Sequence, residues 1–262
     1  MQVTPFHLHE RPPRDLGELT LTFKRYQPTG SLQTGKQQVA LVFTHCVNTH
    51  KETWEPVIQH LFALQTEAST PVQIVEVWSM DSPNHGEGGV VNHQPLLKRT
   101  QGITGFDWAR GVDVLYRSGL IEPPKVIGIG HSAGGCIMIL VASLYSLMEI
   151  PYCSLILVEP PMFKESKSNA TTGRSEKMHM PGSGNAFHGK CGTKTLLTFS
   201  SAAETQDAIV DPKQGRIMKS VVKIEGAGHQ LPQEKPFEVA KFIWDSIIND
   251  LNSTAPKLKN NL

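Results

Sequence analysis

A serine flanked by glycines lies between two apolar stretches in the middle of the chain. The Gly-x-Ser-x-Gly pattern occupies residues 130–134, after the apolar run 126–129 that is rich in β-branched residues and before apolar residues that recur at helical spacing. A strand, a sharp turn and a helix in this order place a serine hydroxyl on a strained turn, and small neighbours prevent clashes there. The helix N-terminus favours negative charge that develops at this point. Ser132 is therefore the predicted nucleophile.

A serine nucleophile requires a base, and the chain has 11 histidines. His229 lies in the glycine-rich segment 225–232, directly after the last predicted strand and before the last predicted helix. Small residues allow such a loop to fold back over the sheet edge towards Ser132. His179, His188 and Cys191 lack the spacing of a structural zinc site, so neither a metal nor a cofactor is expected.

Short apolar runs alternate with amphipathic stretches along the chain. This alternation predicts an α/β fold: a mostly parallel sheet with helices on both faces and a ligand site at the carboxyl ends of the strands. The N-terminal residues that include His7 and His9 are interpreted as a proline-rich arm. The predicted strands are 19–26, 39–43, 72–78, 125–130, 154–159, 195–199 and 221–224, and the main predicted helices are 54–64, 106–118 and the segment from residue 236.

Length and charge bound the function. A chain of 262 residues fits one α/β domain spanning 1–262, and a net charge of +1 argues against binding to nucleic acid or to an anionic membrane surface. This near-zero net charge is more consistent with a small neutral substrate than with a highly charged partner. Four irregularly spaced cysteines and the lack of a signal pattern favour reduced thiols in an intracellular, cytoplasmic protein, and no run of 18 apolar residues predicts a membrane span.

The elbow, the His229 loop and the segment 44–54 together resemble the α/β-hydrolase fold family over nearly the whole chain. In that family the nucleophile precedes the histidine, and the loop after an early strand donates one backbone N–H to the oxyanion while the residue after the nucleophile donates another. The resemblance assigns these donors to Val47 and Ala133. The turn 81–87 also resembles a family turn whose role is structural, so His85 is expected to be a loop histidine.

Segments 41–54 and 77–87 are more narrowly similar to small α/β hydrolases of fungal toxin and secondary-metabolite pathways. Some of these carry a peroxisomal C-terminal tripeptide, which the ending Asn260-Asn261-Leu262 does not match.

Cys46 stands where the family has glycine. We interpret its thiol as a packing group rather than a nucleophile, because no basic neighbour or helix start in the sequence would lower its pKa.

The segment 164–191 departs from the family, whose members have a helical cap there. It is rich in Ser, Gly, Lys and Thr, so we expect a reduced, flexible cap that buries little surface. An uncovered apolar mouth leaves a homo-oligomer as an open alternative.

The acid of the predicted triad has three candidates. The usual family position, after the strand that precedes the histidine strand, favours Glu204, with Asp207 as an alternative. Other members place the acid one strand earlier, which points to Glu159 at the end of the run 155–158.

The resemblance implies a serine hydrolase that transfers the acyl group of a small ester, thioester or lactone to water without a cofactor. Two alternatives remain, because a fold does not fix a reaction. One is C–C hydrolase, lyase or cyclase chemistry at the same site. The other is a non-hydrolytic binding protein or degenerate enzyme, suggested by the reduced cap.

Overall fold

The computed structural model describes residues 1–9, 19–67, 70–146, 148–160, 194–198 and 220–252. Its strands form one mixed sheet in the order β1-β2-β4-β3-β5-β6-β7-β8, in which β1, β2 and β4 are antiparallel neighbours and the pairs from β4 to β8 are parallel. The strands are β1 (Gln2–His9), β2 (Thr20–Gln27), β3 (Gln37–Thr44), β4 (Val72–Met80), β5 (Val126–His131), β6 (Ser154–Val158), β7 (Lys194–Thr198) and β8 (Ser220–Lys223).

Helices cover both faces of this sheet and enclose two apolar cores. One core packs α1 and α7 against one face, and the other packs α4 and α5 against the opposite face. Central strands β4, β5 and β6 are buried along their whole length, as expected for strands covered on both faces. The helices are α1 (Glu55–Glu67, after a 3-10 turn Lys51–Trp54), α2 (Gly86–Val91), α3 (His93–Lys98), α4 (Gly105–Arg117), α5 (Ala133–Ser143), α6 (Leu231–Glu234) and α7 (Pro236–Asn252). The predicted α/β architecture is confirmed.

The N-terminal arm expected around His7 and His9 is instead a strand. Residues Gln2–His9 pair antiparallel with β2 at the edge of the sheet. Pro5 is compatible with this position, because an edge strand leaves one row of N–H groups without a ladder partner. The composition of the segment therefore masked its pairing.

Parallel register aligns the carboxyl ends of three neighbouring strands. Thr44 at the end of β3 pairs with Gly130 in β5, and His131 pairs with Val158 at the end of β6. The loops that follow β3, β5 and β6 therefore begin at one edge of the sheet. The predicted cap 164–191 and the residues Glu204, Asp207 and Cys191 lie outside the described residues.

Candidate active site

Ser132 lies on a strained turn between β5 and α5. Its backbone has φ 53° and ψ −121°, and its N–H donates to the Val158 carbonyl at 2.8 Å. Two residues after Ser132, position 134 must be glycine, because a Cβ there would lie 2.5 Å from the carbonyl oxygens of Thr44 and His45. The elbow therefore packs backbone to backbone against the loop after β3.

Two other residues without glycine's freedom share this positive φ. Asn48 in the loop after β3 has φ 63°, and Glu159 directly after β6 has φ 51°. Together with Ser132 they are the non-glycine residues of positive φ within the described part of the chain. Strained backbone of this kind concentrates at functional sites, and here it marks the loops after three adjacent strands.

His229 connects Ser132 to a carboxylate. Its Nε2 lies 2.9 Å from Ser132 Oγ, and its Nδ1 lies 3.5 Å from Glu159 Oε2. The Glu159 side chain is 11% exposed and that of His229 is 46% exposed. A carboxylate facing Nδ1 favours the tautomer that leaves a lone pair on Nε2 for the serine proton.

The His229 loop is held by two hydrogen bonds. His131 Nε2 donates to the His229 carbonyl at 2.7 Å, and the Gly228 N–H donates to Glu234 at 2.6 Å. Burial lowers the pKa of His131 to about 3, outweighing the opposing effect of the bond to His229. His131 is therefore a neutral imidazole that holds the His229 loop in place. Sequence reasoning did not assign it this role, although it lies inside the elbow motif.

The loop after β3 is held by His45. Its Nδ1 donates to the Cys46 carbonyl at 2.6 Å, and its Nε2 accepts from the Ser82 N–H at 2.9 Å. Burial lowers the pKa of His45 to about 4, so it stays neutral in this arrangement. The expected oxyanion donors, Val47 and Ala133, lie on the two segments that meet at Gly134. Val47 follows Cys46 in the loop after β3. Ala133 is the first residue of α5, where N–H groups lack intrahelical acceptors.

A buried ion pair fixes the far end of the same loop. Lys51 Nζ lies 2.6 Å from Asp81 Oδ2, and both side chains have no exposed surface. The Lys51 N–H also donates to Asp81 Oδ1 at 2.8 Å. Burial opposes protonation of Lys51, but Asp81 and Glu87 outweigh it and raise its pKa. The ion pair thus joins the loop to the turn 81–87, where His85 Nε2 accepts from the Asn48 N–H at 3.2 Å.

Cys46 places its thiol beside the His229 ring. Its Sγ lies 3.8 Å from His229 Nε2, the atom that faces Ser132, and the residue is 4% exposed. Cys46, His131 and His229 offer ligand atoms that all lie within 4.8 Å of one another. Cys46 and Cys136 are buried free cysteines.

The predicted residues converge in part. Ser132 and His229 lie within hydrogen-bond distance, and Glu159 is the acid candidate placed beside His229 within the described residues. Glu204 and Asp207 lie outside them. The assignment of the acid, and of Val47 and Ala133 as donors, stays a prediction.

Residues 41–188 match the model of the alpha/beta hydrolase family, which is more than half of the chain. The chain belongs to this family. The match includes the loop after β3, the elbow and Glu159, and it ends before His229.

Curated relatives of this α/β hydrolase are distant. Two type I acyl-CoA thioesterases of Penicillium brevicompactum, mpaH' and mpaH, are each 24% identical to it over 158 residues, which is 59% of this chain and 34% of each relative. The chain thus covers about a third of their length.

Solved structures resemble the hydrolase over most of its length. The peroxisomal alpha-beta-hydrolase Lpx1 of Saccharomyces cerevisiae has a TM-score of 0.68 at 17% identity, covering 100% of this chain and 92% of that one. The thioesterase domain from the curacin biosynthetic pathway has a TM-score of 0.61 at 13% identity, covering 93% and 99%. At these identities the likeness shows the fold. Among the described residues no helix combines the length and apolar character needed to cross a membrane.

Proposed function

We propose that this protein is a serine hydrolase that cleaves an ester or thioester of a small, apolar acyl substrate. One observation carries the proposal: Ser132 Oγ lies 2.9 Å from His229 Nε2 on an elbow of strained backbone. A hydroxyl aimed at an imidazole lone pair is the arrangement that generates an oxygen nucleophile. Lactones belong to the same reaction class.

The mechanism uses residues of adjoining strand ends. His229 Nε2 takes the proton of Ser132 as Oγ attacks the carbonyl carbon, and Glu159 stabilises the imidazolium that forms. The N–H groups of Val47 and Ala133 hold the oxyanion, each contributing a few kcal/mol. His229 returns the proton to the leaving alcohol or thiol, and water then releases the acyl group by the reverse sequence.

Thioesters are favoured among the substrates. The curated relatives are acyl-CoA thioesterases and one solved relative is a thioesterase domain of a biosynthetic pathway. These likenesses support a role for this chain in secondary metabolism, which the sequence resemblance also suggests. We propose that it acts inside the cell. A thiolate leaves without full protonation, so a thioester demands less of the base than an alkyl ester does.

A fluorophosphonate probe tests the nucleophile. We expect the probe to label the native protein at Ser132 and to leave Ser132→Ala unlabelled. Hydrolysis of p-nitrophenyl esters and acyl-CoA thioesters of graded length then defines the substrate class. A folded protein that reacts with neither probe nor substrates would favour the binding-protein alternative.

A further inference from the structure

The thiol of Cys46 stands where the family pattern has glycine, and it contacts the base of the proposed triad. Its Sγ lies 3.8 Å from His229 Nε2. The thiol itself is buried, whereas the His229 side chain is 46% exposed. The proposed hydrolysis makes no use of this thiol.

A second imidazole completes the cluster. His131, 1% exposed, offers a ring nitrogen within 4.8 Å of the ligand atoms of Cys46 and His229. Its Nε2 must carry the proton, because it donates to the His229 carbonyl. Its Nδ1 therefore has a lone pair, and within the described part of the chain this buried atom has no hydrogen-bond partner. An imidazole that has a buried, unpartnered nitrogen and lies in one cluster with a thiol and a second imidazole is suited to supply a ligand to a metal ion.

We propose that Cys46, His229 and His131 form a binding site for a thiophilic divalent cation such as Zn²⁺ or Cd²⁺, and that the bound cation switches off the hydrolase. Zinc bonds of about 2.3 Å to sulfur and 2.0 Å to nitrogen at a tetrahedral angle place the two ligand atoms about 3.5 Å apart. The observed separation of Cys46 Sγ and His229 Nε2 is 3.8 Å, so these two ligands need almost no movement.

Binding is an exchange of a proton for the cation. The cation bonds to the thiolate of Cys46 and the thiol proton leaves to solvent, with no change of oxidation state. The second bond uses the lone pair of His229 Nε2, which is the pair that accepts the proton of Ser132. A metal-bound His229 therefore cannot act as a base, and hydrolysis stops while the cation stays bound. Hard cations such as Mg²⁺ prefer oxygen ligands and are excluded by this donor set.

The test measures binding and activity separately, because the inhibitory consequence rests on the proposed function. Cd²⁺ is titrated into the purified protein, and the thiolate-to-cadmium charge-transfer absorption in the ultraviolet reports binding through sulfur. We expect one equivalent to produce the band, a chelator to remove it, and the band to weaken as pH falls because protons compete for the ligands. Wild-type protein without the band overturns the proposal.

Variants locate the site. Cys46→Ala and Cys46→Ser should lose the band and raise the Zn²⁺ concentration that halves ester hydrolysis at least tenfold, each compared with its own metal-free rate. Cys153→Ala is the matched control, because Cys153 is not part of the cluster, and it should behave as wild type. Equal inhibition of the Cys46 variants and wild type would overturn the assignment.

Ser132→Ala separates the two proposals. It should lack hydrolysis yet keep the cadmium band, because the serine is not a ligand. If wild-type protein hydrolyses no ester or thioester while its band depends on Cys46, the cation site stands and the hydrolase proposal falls. Loss of the band in Ser132→Ala would overturn the ligand set proposed here.

Discussion

Replacing Glu159 with glutamine measures what the proposed triad acid contributes. The carboxylate faces His229 Nδ1 at 3.5 Å. At an effective dielectric constant of about 20, an imidazolium and a carboxylate at this distance attract each other by about 5 kcal/mol. The His229 side chain is 46% exposed, so solvent screening reduces this value by roughly half. Glu159→Gln should therefore lower kcat by roughly 30- to 100-fold with little change in KM, since about 1.4 kcal/mol corresponds to tenfold.

The assay compares Glu159→Gln with Glu204→Gln and Asp207→Asn on one p-nitrophenyl ester. An amide keeps the volume of the side chain but cannot stabilise the imidazolium, so the triad acid alone should show the large loss in kcat. Activity of Glu159→Gln above about a third of wild type, or a larger loss in either of the other two variants, would refute the reasoning and move the acid to the residue that shows the loss.

Four further results are expected. His229→Ala should abolish ester turnover with little change in the unfolding midpoint, and more than about a tenth of wild-type activity would contradict its role as base. Lys51→Met should lower the free energy of unfolding in urea by about 3–5 kcal/mol, because it leaves the buried Asp81 carboxylate without its cation. Lys241→Met removes an exposed ion pair and should lower this free energy by less than about 1 kcal/mol. Equal losses in the two variants would contradict a stabilising role of the buried pair. Gly134→Ala should abolish probe labelling at Ser132 while Gly102→Ala, whose Cβ meets nothing within 4 Å, leaves it intact. Acidification from pH 6.5 towards 4 should lower the free energy of unfolding. Burial lowers the pKa of His45 to about 4 and of His131 to about 3, so the unfolded chain binds more protons than the folded chain in this range. His131→Gln should reduce the dependence of the free energy of unfolding on pH by up to about 1.4 kcal/mol per pH unit, and an unchanged dependence would contradict the buried neutral imidazole.

Periodicity made most of the sheet predictable from the sequence. Buried parallel strands such as β5 are short continuous apolar runs, and α7 carries an amphipathic repeat, so each signal lies within a few neighbouring residues. β1 was missed because its pairing depends on β2 and its residues include Pro5, which weakens a local strand signal. The same local logic located Ser132 and His229, since glycines mark the turn and the loop that carry them.

The remaining site contacts depend on where distant loops meet, and no local pattern encodes that. Glu159 reaches His229 from a backbone with φ 51°, a conformation that costs a non-glycine residue about 1–2 kcal/mol. A glutamate in the sequence gives no sign of this conformation, as a glycine would. Cys46 and His229 are separated by 183 positions, and their contact exists because β3 and β5 are neighbours in the sheet and the His229 loop folds over both. The buried strands beneath Ser132 and Glu159 maintain the strain at these two residues, so the rigid sheet allows two unfavourable turns to place their side chains at one imidazole, that of His229.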